Sequence, residues 1–431
     1  MRKKKVLVHG TAESLNKFFS DAVSRDYEIV ALLSDKPDKI SSDLEVFSPQ
    51  NLPKVIHKLI DGIILTNATG AFVKLFLKQG IEPRKIILWD FEQGWGTFNL
   101  PDSDGTPVIY FCGLEFHIRN EEDVKFFSTM HEWIQQQRQI KNLDPKFYPN
   151  VLARQFQKYT GKPLDFNNLR TLTEKLQWLK IYDATPLKSR LADKYLVRNW
   201  IEEKIGGEYL IPLLGVWNDF DEINFDDLPD RFVLKCNHGW NMNIIVRDKK
   251  SLDLREAREK INAWLAVDFG THNLQLHYSP IERKILAEKF MTNGDAPDID
   301  NYKFWCFNGV PIFCGFDSGR TSDGDITNLR IDYFDMDWKP NEFENAAHPR
   351  SDHPERIPPP KNFELMKKLA AKLAEGFAFV RVDFYEIEGR IYFGEMTFTP
   401  GAGNFSYKSE GTDEYLGSLL KLPEPTPPPK L

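Results

Sequence analysis

Phe379-Val-Arg-Val-Asp-Phe-Tyr-Glu-Ile-Glu-Gly-Arg-Ile-Tyr-Phe-Gly-Glu-Met-Thr397 contains two runs in which apolar and polar residues alternate, separated by Glu388-Gly389-Arg390. A period of two on both sides of a glycine-containing turn predicts a β-hairpin. Along the first run Arg381 and Asp383 share a face, with Val380, Val382 and Phe384 on the other; along the second, Glu395 and Thr397 share a face. A loop with an odd number of residues, most simply three with Gly389 left-handed, puts Asp383 and Glu395 on one face. A two-residue turn puts them on opposite faces. Two carboxylates on one sheet face beside an arginine suit Mg²⁺ carrying phosphate, because this hard cation takes one or two carboxylates together with phosphate oxygens and water. The same alternation also describes a half-buried hairpin whose charges face water.

Working outward, 431 residues make room for about two or three domains. Hydrophobic content of 41% and charged content of 28% fit a soluble globular chain, and 32 Phe with 10 Trp speak against disorder. A net charge of −7 argues against a broad DNA- or RNA-binding surface, which needs a basic stripe, while leaving room for local basic pockets. Cys112, Cys236, Cys306 and Cys314 show no CxxC spacing, which predicts reduced, buried thiols and not zinc or disulfides. The basic start at Met1-Arg-Lys-Lys-Lys is followed by too short an apolar run for a signal peptide, and no run reaches membrane-spanning length. The expectation is a cytoplasmic protein without a transmembrane segment or nucleic-acid partner.

Upstream, residues 4 to 115 alternate strand-like and helix-like patterns. Lys5-Val-Leu-Val-His-Gly10, Tyr27-Glu-Ile-Val-Ala-Leu-Leu33, Gly62-Ile-Ile-Leu-Thr-Asn67 and Lys85-Ile-Ile-Leu-Trp89 read as strands, with helices at 14–23 and 71–79. That alternation predicts an open parallel sheet of Rossmann-like type. Its first turn, Gly10-Thr-Ala-Glu-Ser14, lacks the later glycines of a dinucleotide fingerprint, so NAD binding is not expected; Asp35 reads as a solvated strand-end acid that could bind a ribose. Residues 121–138 form an amphipathic helical pattern, Lys141-Asn-Leu-Asp-Pro145 a hinge, and 150–190 a mostly helical stretch. Pro423-Glu-Pro-Thr-Pro-Pro-Pro-Lys-Leu431 is a proline-rich, extended tail.

Between these stretches lies an ordered series. Asp193-Lys-Tyr-Leu-Val-Arg-Asn-Trp-Ile-Glu-Glu-Lys-Ile-Gly206 has an N-cap, an apolar face and a C-terminal glycine, which predicts a helix with Lys194 in its first turn. A cation there is disfavoured by the helix dipole unless an anion is near. Arg231-Phe-Val-Leu-Lys-Cys236 reads as a strand leading through Asn237-His-Gly-Trp-Asn-Met-Asn243 into Ile244-Ile-Val246. Ile285-Leu-Ala-Glu-Lys-Phe290 and Asn301-Tyr-Lys-Phe-Trp-Cys-Phe307 are two further strands.

In this order the chain resembles the ATP-grasp enzymes, and within them the TupA-like branch associated with cell-surface polysaccharide and teichuronopeptide synthesis. The resemblance is carried by Leu191-Ala-Asp-Lys-Tyr195, Tyr209-Leu-Ile-Pro-Leu-Leu-Gly-Val216, Phe232-Val-Leu-Lys-Cys-Asn-His-Gly239, Tyr302-Lys-Phe-Trp-Cys-Phe-Asn-Gly309 and Gly394-Glu-Met-Thr-Phe-Thr-Pro-Gly401. It covers the chain from about residue 148 to 422. The expected fold is α/β and α+β: the alternation predicts a Rossmann-like domain at 1–120, which the resemblance does not cover, then a helical connecting region at 121–190, with the resemblance implying an ATP-grasp domain at 191–422, and a tail at 423–431.

The resemblance implies that Lys194 and Lys235 contact ATP phosphates, with Lys303 also on the nucleotide. His238 and Gly239 would open the phosphate-covering loop, and Glu288, Lys289 and Phe290 would line the adenine and ribose pocket, largely through backbone groups. Asp383 and Glu395 would hold Mg²⁺, joined by Thr397 where many relatives carry Asn. The phosphate loop departs from the glycine-rich family pattern at Trp240-Asn241-Met242. The implied chemistry is attack of a carboxylate on the γ-phosphate of ATP, then displacement of phosphate by an amine to give an amide. Phosphoryl transfer of this kind needs positioning and charge neutralisation. Arg381 is placed to stabilise the acyl phosphate or to pair with Asp383, and Arg330 to bind the substrate carboxylate. The partners would be a small-molecule or saccharide carboxylate and an amine, in capsular polysaccharide synthesis, with a homodimer as one option for assembly. The resemblance says nothing of residues 1–120; their α/β pattern suggests a ligand crevice beyond the C-terminal strand ends, where they would bind or position the polysaccharide precursor, the alternative being packing or dimerisation.

Two other classes compete. Asp335-Met-Asp337 has the Asp-x-Asp form of metal-dependent glycosyltransferases that act on sugar nucleotides, and the altered loop would also suit a non-catalytic nucleotide-binding scaffold. The pairs His272/His277 and His348/His353 are spaced five apart, which does not match a helical metal pair and reads as structural or exposed.

Overall fold

Alternation along a strand acquires meaning only once its partners and register are known. The computed structural model describes residues 4–9, 27–33, 46–47, 62–65, 86–88, 108–111 and 114–431, apart from 293–298 and 320–328. The turn at 10–14, the expected helices at 14–23 and 71–79, Asp35 and Cys112 lie outside the described residues. The chain divides into two compact units, one of residues 1–137 with 253–267, the other of residues 138–252 with 268–431.

In the first unit, β1 (Lys4–His9), β2 (Tyr27–Leu33), β3 (Val46–Phe47), β4 (Gly62–Leu65) and β5 (Ile86–Leu88) form a sheet in the order β3-β2-β1-β4-β5. Every neighbouring pair is parallel. β6 (Val108–Phe111) and β7 (Leu114–His117) pair as an antiparallel hairpin. The Glu121–Lys141 helix begins with three acids and ends with Arg138 and Lys141, which complements its dipole. The Leu254–Ala266 helix, distant in sequence, belongs to this unit: its buried Glu259 accepts from the backbone N–H of His117 at 3.2 Å and from Arg119 at 2.9 Å. Phe126 and Trp264 meet edge to face at 5.8 Å.

The second unit is built on two antiparallel sheets. One has the order β10-β9-β11-β8, from β8 (Leu213–Trp217), β9 (Phe232–Cys236), β10 (Asn243–Val246) and β11 (Ile285–Lys289). The other runs β14-β13-β12-β15-β16, from β12 (Asn301–Phe307), β13 (Val310–Ser318), β14 (Arg330–Asp335), β15 (Phe379–Ile387) and β16 (Arg390–Thr397). One face of the five-stranded sheet is apolar: Phe304, Cys306, Cys314, Val380, Val382, Phe384 and Met396 pack with Met366, Leu369 and Leu373 of the Phe363–Ala374 helix. On the other face, Trp305, Phe313 and Phe379 are covered by Leu172, Leu176 and Leu179 of the Leu172–Tyr182 helix. A capping box between Thr171 and Glu174 fixes the start of that helix. The backbone of Arg170–Thr171 crosses Gly417 so closely that a Cβ there would lie 2.1 Å from the Arg170 carbonyl oxygen. The rest of the second face is left to polar side chains.

The proline-rich tail is tied down: Thr426 donates through both its N–H and its hydroxyl to the Tyr182 carbonyl, each at 2.8 Å. Cys236, Cys306 and Cys314 are free and buried, and burial pushes the Cys236 thiol up to about 12. No described helix is long and apolar enough to cross a membrane.

Candidate functional site

The hairpin that opens the sequence argument is closed by a two-residue turn, Glu388-Gly389, with both residues at positive φ (52° and 73°). This corrects the three-residue loop. By itself that turn would separate the two acids, but the ladder slips between Asp383 and Phe384: Phe384 pairs with Phe393 and Asp383 with Glu395, leaving Gly394 as an extra residue. The β-bulge changes the alternation by one and brings Asp383 and Glu395 directly opposite. Gly suits the position, since a Cβ on Gly394 would sit 3.1 Å from the Asp383 carbonyl oxygen.

The polar face of the sheet is therefore organised in three cross-strand rows. The first holds Thr397, Arg381, Trp305 and Phe313; the second Glu395, Asp383, Lys303 and Gly315; the third Tyr392, Tyr385, Asn301 and Asp317. Arg381 spans the first two. Its Nε donates to Asp383 Oδ1 at 2.7 Å, and one terminal nitrogen donates to Asp383 Oδ2 at 2.6 Å, Glu395 Oε1 at 2.8 Å and Thr397 Oγ1 at 3.1 Å. Thr397 in turn donates to Glu395 Oε1 at 2.8 Å. Burial works against the Arg381 charge, but Asp383 and Glu395 outweigh it and hold its pKa above the ordinary arginine value. Burial raises the Asp383 pKa against the pull of Arg381. Glu395 goes the other way: burial is outweighed by Arg381 and Lys194, and its pKa falls. Lys303 bonds diagonally to Asp317, a residue the sequence reading did not single out.

From the four-stranded sheet come the second set of charges. Lys235 Nζ lies 2.6 Å from Glu288 Oε2, and Arg198 lies 3.2 Å from Glu288 Oε1 while also donating to the Ile211 carbonyl at 2.8 Å. Burial opposes the Lys235 charge; Glu288, Tyr385 and Glu395 override it and raise the pKa. Lys194 is lowered, chiefly by burial, with Glu395 acting in the opposite sense. Glu395 thus lies within the electrostatic reach of both lysines, and the two sheets present their charges to one another.

Lys194 does not sit in a helical first turn. The Pro186–Ala192 helix ends with Asp193 as its C-cap, and the next helix runs Val197–Lys204. Buried Asp193 still accepts from the N–H groups of Tyr195 and Leu196, at 2.7 and 3.2 Å, so the cap residue organises a turn and not a helix start. That turn points Lys194 at the phosphate-loop candidate, where its Nζ donates to the Gly239 carbonyl. Asn237 fixes the base of this loop, donating to Glu282 O at 2.8 Å and accepting from Lys284 N at 2.7 Å. His238 and Met242 are buried, and Trp240 at the tip is 59% exposed. The glycine-poor loop is therefore anchored at its base by side chains.

Glu288 faces Lys235 and Arg198 through its carboxylate, and Lys289 is exposed, its N–H donating to Pro212 O at 2.9 Å. The guanidinium groups of Arg231 and Arg247 lie over the Phe290 ring, 5.4 and 5.2 Å from its centroid. Arg330 donates to the Arg350 carbonyl at 2.8 Å and lies 3.7 Å from Asp352, so its partners are not those of the Asp383–Glu395 group. Asp335 Oδ1 accepts from the N–H groups of Asp337 and Lys339 at 2.9 and 2.8 Å, which makes the Asp-x-Asp run a turn. His277 is buried and His353 is exposed, as the spacing implied. Arg198, Tyr385, Asn301 and Asp317 lie in these rows and ion pairs without having been singled out in the sequence; the parity of Lys303 would have placed Asn301 on the site face once β12 was assigned.

Asp383, Glu395 and Thr397 offer the hard oxygen donors that suit Mg²⁺. Arg381 and Thr397 both engage Glu395 through Oε1, and that side chain is 37% exposed, which leaves Oε2 open to another ligand. The described residues include no group of three or more His, Cys, Asp or Glu able to hold a metal ion. A cation here would complete its shell with phosphate and water, the habit of Mg²⁺. The residues fit the group.

A family model described as TupA-like ATPgrasp matches residues 174–421, more than half of the chain. No curated protein matches. Similar solved structures include the D-alanine–D-alanine ligase of Helicobacter pylori, at 17% identity over 54% of this chain and 61% of that one, TM-score 0.27. The ATP complex of D-alanine–D-alanine ligase from Bacillus anthracis shares 13% identity over 92% and 85% of the two chains, TM-score 0.27. Phosphoribosylamine–glycine ligase of Thermotoga maritima shares 11% over 91% and 68%, TM-score 0.30.

Proposed function

The chain belongs to the TupA-like ATP-grasp family, and from that premise we propose that it is an ATP-dependent carboxylate–amine ligase working in cell-surface or capsular polysaccharide synthesis. One observation carries the reading: Glu395, directly opposite Asp383 in the ladder, is bonded by Arg381 and lies in the electrostatic reach of both Lys194 and Lys235. Two lysines facing a carboxylate pair is the charge pattern that a nucleotide polyphosphate and its cation require.

In this reading Asp383 and Glu395, assisted by Thr397, would hold Mg²⁺, which would supply charge neutralisation at the phosphates. Lys194 and Lys235 bind phosphate oxygens, with Glu288 and Arg198 fixing the Lys235 ammonium. A carboxylate oxygen of the substrate attacks the γ-phosphorus, the bond to the ADP oxygen breaks, and an acyl phosphate forms. The amine nitrogen then attacks the acyl carbon; the C–O bond breaks, phosphate leaves with its electron pair, and the nitrogen loses a proton. Arg381, whose charge is secured by its carboxylates, is a fixed positive group for the acyl phosphate. Asp335 is committed to its turn, which weighs against the glycosyltransferase alternative.

The test is to screen carboxylate and amine pools for ADP formation and to identify products by mass. ADP release that depends on a carboxylate, with an amide product, is expected. UDP release from a sugar nucleotide would establish the transferase instead, and nucleotide binding without turnover the scaffold.

A further inference from the structure

Gln177 and Lys180, one turn apart on the Leu172–Tyr182 helix, are both fully buried. Gln177 Nε2 donates to the Gly403 carbonyl at 2.8 Å and to the Ala402 carbonyl at 3.2 Å, while its Oε1 accepts from Lys180 Nζ at 2.7 Å. Carbonyl oxygens accept and cannot donate, so the amide nitrogen must face them and the amide oxygen must face the lysine. Those two carbonyls belong to the turn that leaves β16 just beyond Thr397. Gly401, Ala402 and Gly403 all have positive φ, at 54°, 54° and 65°, and at Ala402 that conformation is strained. A Cβ on Gly403 would lie 2.6 Å from Gln177 Nε2, so helix and turn meet with no room between them. A second amide holds the start of the turn: Thr399 Oγ1 donates to Gln275 Oε1 at 2.8 Å, and both residues are buried.

Two unfavourable features meet in this contact. One is the strained turn; the other is Lys180, which burial pushes well below the ordinary lysine value and whose partner is a neutral amide. A methionine would fill the same space without a desolvated amine. What the amine adds is a fixed Gln177 amide, and what the amide adds is a held left-handed turn. The strand end that this turn continues carries Thr397, whose hydroxyl donates to Glu395 Oε1 at 2.8 Å. We propose that Gln177 and Lys180 are positioning residues for the candidate metal site: through the Gly401–Gly403 turn they fix Thr397, and through Thr397 the Glu395 carboxylate. The inference rests on the ligase reading of that site and extends it to a buried pair on a helix.

The experiment compares Gln177→Met and Lys180→Met with the unsubstituted full chain. One readout is the Mg²⁺ concentration that half-saturates the ATP-induced thermal shift. The other is carboxylate-dependent ADP release with the substrates found by the screen. Gln177→Met is expected to raise the Mg²⁺ half-saturation about tenfold and lower kcat about tenfold, with KM for ATP at saturating Mg²⁺ within about twofold, the scale of losing a group that orients a metal ligand. Lys180→Met should move both in the same direction by a smaller factor, with Tm unchanged or higher because the buried amine is gone. An unchanged Mg²⁺ half-saturation in both variants overturns the proposal: a fall in Tm alone makes the pair a packing contact, and a fall in kcat alone puts the effect on the turn and not on Glu395. Should Gln177→Met fail to fold, Lys180→Met decides on the same readouts. The thermal-shift titration needs no turnover, so absence of carboxylate-dependent ADP release in the unsubstituted protein would refute the ligase reading while the Mg²⁺ titration still judges the positioning role.

Discussion

Asp383 stands directly opposite Glu395, and it does so because Gly394 is bulged out of the ladder between β15 and β16. Counted from the Glu388-Gly389 turn, an unbroken ladder would set Asp383 against Gly394 and turn the Glu395 carboxylate into the apolar face. A single extra residue therefore decides whether the two acids can act together.

Gly394→Ala should disturb this alignment. The added Cβ meets the Asp383 carbonyl oxygen and the Tyr385 ring, each at 3.1 Å, so Asp383 must shift by a few tenths of an ångström. Turnover is expected to fall on the order of tenfold, since small displacements of positioned groups are costly in rate. Tm should drop by only a few degrees. Kinetics and thermal melting on the same preparation check this; full activity would mean the bulge tolerates a side chain.

Asp383→Asn and Glu395→Gln should each lower turnover by about 10²-fold or more, the scale of losing a preorganised charge. Both variants should also need more Mg²⁺. Titrating Mg²⁺ at fixed ATP is the measurement, and a normal Mg²⁺ dependence in both would remove the metal assignment.

Lys194→Ala and Lys235→Ala should remain folded and weaken ATP binding on the order of tenfold, in line with charge-assisted bonds to phosphate. Glu288 keeps Arg198 as a partner when Lys235 is removed, so little intrinsic stability should be lost. The thermal shift produced by ATP and Mg²⁺ should shrink in both. An intact shift with a low basal Tm would assign the lysines to the fold.

Acid should destabilise this protein through two histidines, His277 buried and His272 partly buried. Burial, with Lys180 nearby, holds His272 down at about 4; burial, with Lys188 and Lys180, holds His277 at about 3. In the unfolded chain both titrate near 6.5, so between those values the unfolded state binds more protons and stability rises with pH. The contribution is complete above about pH 6.5 and is lost as pH falls toward 4 and 3. His277→Phe, matched to its Tyr278 and Phe398 neighbours, should flatten the fall of Tm between pH 6.5 and 4. An unaltered slope would show that other groups govern acid unfolding.

The sequence by itself determined which residues on each strand share a face, because side-chain alternation is a local property of the extended backbone. It also carried the ordered motifs by which the family is recognised, and both lysines, both acids and Arg381 were legible in them. Register is not local, and there the tertiary structure decided. The turn closes on two residues, and Gly394 supplies the odd count that a longer loop was expected to give. Lys194 lies in a turn because Asp193 ends one helix before the next begins. Glu288 turns to Lys235 and Arg198, and Arg330 to Arg350, because an ion takes the partners that folding puts within reach. Asn301 and Asp317 become a pair only through the register of β12 against β13, which no residue on either strand specifies alone.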